Sequence, residues 1–165
     1  MITLTADRNP FDDLIDFLNR VENPGSGERS KVAIAITRGF AENFSNQQSG
    51  DGARWEPLAP MTVFQRRQLG FAGERPILVR TGTYRASWVQ AGAPGHVEVF
   101  ERTGSGWVLE VGSEDERVEE LSRGRSGPLF PMPGRPVLPL PESAQTNIGD
   151  TLDFIFAEIG KQTHG

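Results

Sequence analysis

The 165-residue sequence contains no cysteine, which excludes disulfide frameworks, cysteine–zinc sites and thiol nucleophiles. It has two histidines, His96 and His164, too few and too scattered for a histidine metal cluster. Apolar runs are short. Val32-Ala33-Ile34-Ala35-Ile36 is among the longest, well below the ~20 residues a membrane-spanning helix needs. The opening stretch, MITLTADRNP, has neither the basic start nor the apolar segment of a secretory signal. The expectation is a soluble chain made in a cytoplasm, with no membrane partner. Catalytic signatures are missing too: there is no HExxH, no GxxxxGK[ST] phosphate loop, no GxSxG elbow and no GxGxxG after a strand.

Hydrophobic residues make up 36 % of the chain, below the usual share, whereas glycine (19) and proline (12) are abundant. This predicts one domain over residues 1–165 with a modest core at about 10–160. Flexible segments are expected at 22–29, 113–133 and 161–165. Seventeen basic against 22 acidic side chains give a net charge of −5, which argues against a general grip on nucleic acid.

Residues 10–21 read as a helix, with Pro10 in its first turn and an apolar stripe of Leu14, Ile15, Phe17, Leu18 and Val21. A longer helix follows at about 28–47, with Val32, Ala33, Ile36, Phe40 and Phe44 on its inner face. Residues 54–62, RWEPLAPMT, form a proline-stiffened bend that suits neither helix nor central strand. Thr62 is placed to cap a short helix ending at Leu69. The middle reads as a meander of about three strands: Ser87–Ala91, a run around Val97–Arg102, and Trp107–Gly112. Thr103-Gly104-Ser105-Gly106 is the hairpin connection between the last two. Residues 114–123 form a short helix or an exposed excursion, and 124–133 a loop carrying Leu129, Phe130 and Met132. Arg135–Leu140 reads as a proline-rich edge strand, and 142–161 as a final helix with Ile148, Leu152, Ile155, Phe156 and Ile159 on one face. The predicted class is α+β: a small antiparallel sheet of about four strands, with two long helices and a short one packed on one face.

Few residues point to chemistry. The carboxylates Glu114, Asp115, Glu116, Glu119 and Glu120 crowd a polar segment and read as a solvated face. Gly25-Ser26-Gly27 precedes a helix but reads as a linker rather than an anion loop. His96 is a turn residue, His164 belongs to the C-terminal end, and the Asn43-Phe44-Ser45 sequon reads as chance. A hydrolase using Glu or Asp would need converging carboxylates that the sequence does not display. Arg66, Arg67, Arg75, Arg80 and Arg85 lie close together in sequence; they are candidates for contact with DNA phosphate or an acidic partner, against a plain solubilising role. Trp88 and Trp107 read as core residues, whereas Trp55, in its bend, fills the core or anchors a neighbour.

Three blocks carry a family resemblance. Trp55-Glu56-Pro57-Leu58 followed by Thr62 resembles the W-x-P-L-x-x-x-T signature of phage virion morphogenesis and tail completion proteins. Ile77-Leu78 with Thr81-Gly82, Tyr84 and Ser87 resembles that family's I-L-x-x-T-G-x-L-x-x-S stretch. Gly134-Arg135-Pro136-Val137-Leu138 resembles its P-A-R-P-F-L stretch. Together they span about residues 30–160 in the family's order. Two features depart from the family pattern. Glu116–Gly124 lacks the histidine many relatives carry before the Arg-Pro strand, and Gln65-Arg66-Arg67-Gln68 stands where relatives have lysine.

The resemblance implies a small α+β structural protein at the head–tail junction of a tailed phage. It acts there by tail completion or head–tail joining, with tail termination or another connector-ring part as the alternative. It implies a homo-oligomeric ring, partners among neck and tail proteins, passing contact with genomic DNA, and neither cofactor nor catalytic residue. Its candidate interface and structural residues are Trp55, Pro57, Leu58, Thr62, Thr81, Gly82, Tyr84, Arg135 and Pro136.

Overall fold

The structure, a computed structural model, describes residues 10–74, 76–104, 106–126 and 132–163. Helix α1 (Pro10–Glu22) leads into α2 (Ser26–Asn46), and the chain ends in α6 (Glu142–Thr163). α6 packs against both α1 and α2. Their shared interior is built on Val32, Ile155 and Ile159, with Phe17, Val21 and Leu152 closing its edges. The α1 stripe is thus only partly inward, because Leu14, Ile15 and Leu18 stay about half exposed.

Gln47, in the left-handed conformation, stops α2. The RWEPLAPMT bend follows and delivers the chain into α3 (Pro60–Gln68). Pro60 occupies the first turn and Ala59 the N-cap, so the proline rather than Thr62 begins the helix. A coiled stretch then enters α4 (Thr83–Val89), and β1 (His96–Thr103) and β2 (Gly106–Ser113) form an antiparallel hairpin. The register pairs His96 with Ser113 and Thr103 with Gly106, which puts the connection where the sequence predicts it; Ser105 lies outside the described residues. The short α5 (Val118–Arg123) and the two-residue strands β3 (Gly124–Arg125) and β4 (Met132–Pro133) precede α6. Leu129 and Phe130 also lie outside the described residues.

The protein is mixed helix and strand, but the sheet differs from the expectation. Among the described residues the four strands form two separate two-stranded antiparallel sheets, not one sheet of four. Two segments account for the difference. Ser87–Ala91 is not a strand: Ser87 to Val89 complete α4, where Trp88 faces the core and the Ser87 hydroxyl donates to the Tyr84 carbonyl at 2.8 Å. Arg135–Leu140 runs without strand pairing: the Arg135 N–H donates to the Leu121 carbonyl at 2.7 Å, and the carbonyls of Pro136, Val137 and Pro139 are met by side chains.

A second interior lies beneath this coil. Phe40 and Phe44 of α2, Trp55 of the bend, Ile77, Tyr84 and Trp88 of α4, and Val137 form one buried cluster. Its rings meet edge to face, Phe40 on Trp88 at 5.0 Å and Phe44 on Trp55 at 5.6 Å, the geometry that aromatic quadrupoles favour. Ile36 touches both interiors and joins them.

Candidate functional site

The three sequence blocks that carry the resemblance converge around this second interior. Trp55 is 5 % exposed, and its indole N–H donates to the Pro136 carbonyl at 2.9 Å. Arg135 is 4 % exposed and reaches back to the bend, donating through Nε to the Glu56 carbonyl at 3.0 Å and through Nη2 to the Pro57 carbonyl at 3.1 Å. Asn43, buried on α2, donates to the carbonyls of Val137 (2.7 Å) and Pro139 (3.0 Å). Gln47 joins α2 to the middle block: its amide donates to Phe44 O, and its carbonyl oxygen accepts from the Ile77 N–H. The Trp55 backbone N–H donates to the Gln47 carbonyl at 2.9 Å. The bend therefore does not present Trp55 to solvent; it closes over the core. Burial raises the Tyr84 phenol above its usual pKa.

Beside this closure runs a surface groove of about 300 Å³. Leu58, Thr62, Thr81, Gly82, Tyr84 and Arg135 line it, so six of the nine predicted interface residues border one groove. Trp55 and Pro57 face an adjoining cavity, and Pro136 holds Trp55 from behind.

The predicted arginine group divides. Arg66 and Arg80 enter the groove, where Arg117 and Arg135 join them from far along the chain. Arg67 points away and pairs with Glu74 at 3.6 Å. Arg85 is half buried beside Phe44, Gln47 and Val79 on another surface, and Arg75 lies outside the described residues. Arg66 is 8 % exposed and donates to the Pro76 carbonyl at 3.0 Å. Burial, and then the neighbouring Arg80, pull its pKa below the usual guanidinium value. Arg135 is lowered by burial and then by Arg66, with Glu56 opposing. Arg117 differs in being paired with Asp115 through Nε at 2.7 Å, which raises the arginine and lowers the carboxylate.

Apolar side chains stand exposed next to the groove and the bend. Met61 is 62 % and Leu69 63 % exposed, with Phe64 between them on α3. Of the remaining candidates, Glu119 and Glu120 pair with Arg123 and Arg125 on the surface. The His96 Nδ1–H donates to the Ser87 carbonyl at 3.0 Å, holding the start of β1. His164 lies outside the described residues. Among the described residues, no group of three or more His, Asp or Glu side chains is placed to hold a metal ion, and no helix is long and apolar enough to cross a membrane. Sequence reasoning missed Asn43, Gln47 and Arg117, whose roles depend on contacts made across the fold.

No family model, no curated protein and no solved structure matches this chain.

Proposed function

We propose that the chain is a structural virion protein of the neck of a tailed phage, completing the tail or joining it to the head as part of an oligomeric assembly. The observation that carries this reading is the convergence of the three family-like blocks. Residues far apart in sequence, Trp55, Ile77, Tyr84, Arg135 and Val137, belong to one closure rather than to three unrelated loops. The exposed apolar side chains of α3 and α1 fit a part that buries more surface inside a larger body. No catalytic role is assigned. The division of the arginines among several surfaces weakens the reading as a DNA-binding module, which would need them on one face.

The test is deletion of the gene from the phage genome that carries it, with the lysate imaged by electron microscopy. Full heads lying beside finished, unattached tails are expected. Normal infectious particles would sink the proposal.

A further inference from the structure

The groove walled by Arg66, Arg80, Arg117 and Arg135 has no carboxylate in its lining, in a chain whose net charge is −5. Among the described residues Arg66, Arg80 and Arg135 have no acidic side chain within ion-pair distance, and Arg66 lies within electrostatic reach of both others. Two of the three, Arg66 and Arg135, are more than nine-tenths buried. Arg135 spends three of its five N–H donors on carbonyls and Arg66 one, which leaves donors for a further acceptor.

The rest of the wall decides what kind of acceptor fits. Leu58, Leu69, Leu78, Leu121 and Met132 line the same groove. A bare phosphate or a nucleic-acid backbone would dehydrate against these side chains without covering them usefully. An Asp or Glu flanked by apolar residues satisfies both parts at once, a guanidinium fork for the carboxylate and apolar wall for its neighbours. A volume of about 300 Å³ holds a few side chains of an extended segment. We propose that this groove is a docking site for an acidic, apolar-flanked segment of another polypeptide. The inference does not depend on the neck reading, because the segment is defined by its chemistry and not by its source.

The experiment is calorimetric titration of the whole protein at low salt with the capped peptide Leu-Asp-Leu-Glu-Leu. Its amide counterpart Leu-Asn-Leu-Gln-Leu, inorganic phosphate and a 12-nucleotide single-stranded DNA serve as comparisons. Saturable binding of the acidic peptide is expected, with the amide peptide at least about tenfold weaker, the loss a charge-assisted hydrogen bond brings. Two surface variants test the location. Arg80→Gln removes an exposed guanidinium, and Gln65→Glu adds a negative charge at the rim; both leave the core untouched, and each lowers affinity about tenfold. No saturable binding of the acidic peptide, equal binding of the two peptides, or acidic-peptide binding indifferent to both variants would overturn the proposal. So would phosphate or DNA binding that is tighter than the peptide's and sensitive to Arg80→Gln, since the site would then serve a bare anion.

Discussion

Trp55→Ala tests whether the bend is a latch or an outward anchor. The indole is 5 % exposed, stands edge-on to Phe44 at 5.6 Å, and donates to the Pro136 carbonyl at 2.9 Å. Truncating a buried tryptophan to alanine costs roughly 3–5 kcal/mol in transfer and cavity terms. The orphaned Pro136 carbonyl contributes to the upper part of that range, about 1 kcal/mol. For a chain of this length a loss of 1 kcal/mol lowers the melting temperature by roughly 2–4 °C, so the expected fall is about 6–20 °C. Trp55→Phe separates the two parts: it keeps most of the ring contact but loses the donor, at about 1–2 kcal/mol. Thermal and urea unfolding followed by circular dichroism read both. A Trp55→Ala protein melting within about 2 °C of wild type would refute the latch. If that protein also failed to assemble into particles, Trp55 would be an interface anchor instead.

Two further expectations concern the closure and its edge. A Cβ on Gly50 would lie 2.0 Å from the Pro139 carbonyl oxygen and 2.5 Å from Leu140 C, both backbone atoms that cannot step aside. Gly50→Ala is therefore expected to destabilise by about 1–3 kcal/mol, whereas Gly27→Ala, which meets nothing within 4 Å on α2, stabilises by up to ~1 kcal/mol; equal melting temperatures for the two variants would contradict this. The Asp115 carboxylate is held below its ordinary value of 3.8, first by its hydrogen bond from Arg117. A carboxylate with a depressed folded pKa adds stability that is full above the unfolded value and is lost as pH falls through the folded one. Wild type should accordingly lose more stability than Arg117→Gln as pH falls below 3.8, and parallel denaturation midpoints below that pH would refute the pair's contribution.

The long helices were legible because they are written in local periodicity. Val32, Phe40 and Phe44 recur at helical spacing, as do Ile155 and Ile159, and these are the residues that the two interiors bury. The hairpin was legible from alternation and its glycine-rich turn. What was not legible is set by contacts distant in sequence. Ser87–Val89 looks extended because Trp88 and Val89 favour strands, yet burial of Tyr84 and Trp88 on one side needs a helical turn. Leu14, Ile15 and Leu18 complete an apolar stripe, but α6 covers only part of it. The groove shows the same limit from the other direction. Arg66 and Arg80 are near neighbours in sequence, but Arg117 and Arg135 join them only through the fold, and nothing local separates them from Arg67 and Arg85.

The proline content explains why arginines are buried at all. A proline offers a carbonyl acceptor but no N–H donor, so a proline-rich segment cannot close a reciprocal ladder with a neighbouring strand. Its buried carbonyls must be met by donors from elsewhere, since each unsatisfied one costs about 1–3 kcal/mol. Those donors are side chains here: Trp55 serves Pro136, Asn43 serves Pro139, Arg66 serves Pro76, and Arg135 serves Pro57. Arginine suits this role because one side chain carries five donors in a fixed fork. It also brings a charge that carbonyl oxygens solvate without neutralising. Two such arginines placed near each other, with Arg80 at the rim, leave positive potential on a groove of an otherwise acidic protein. The same substitution of side-chain donors for strand pairing thus holds the bend closed and makes the surface beside it selective for negative charge.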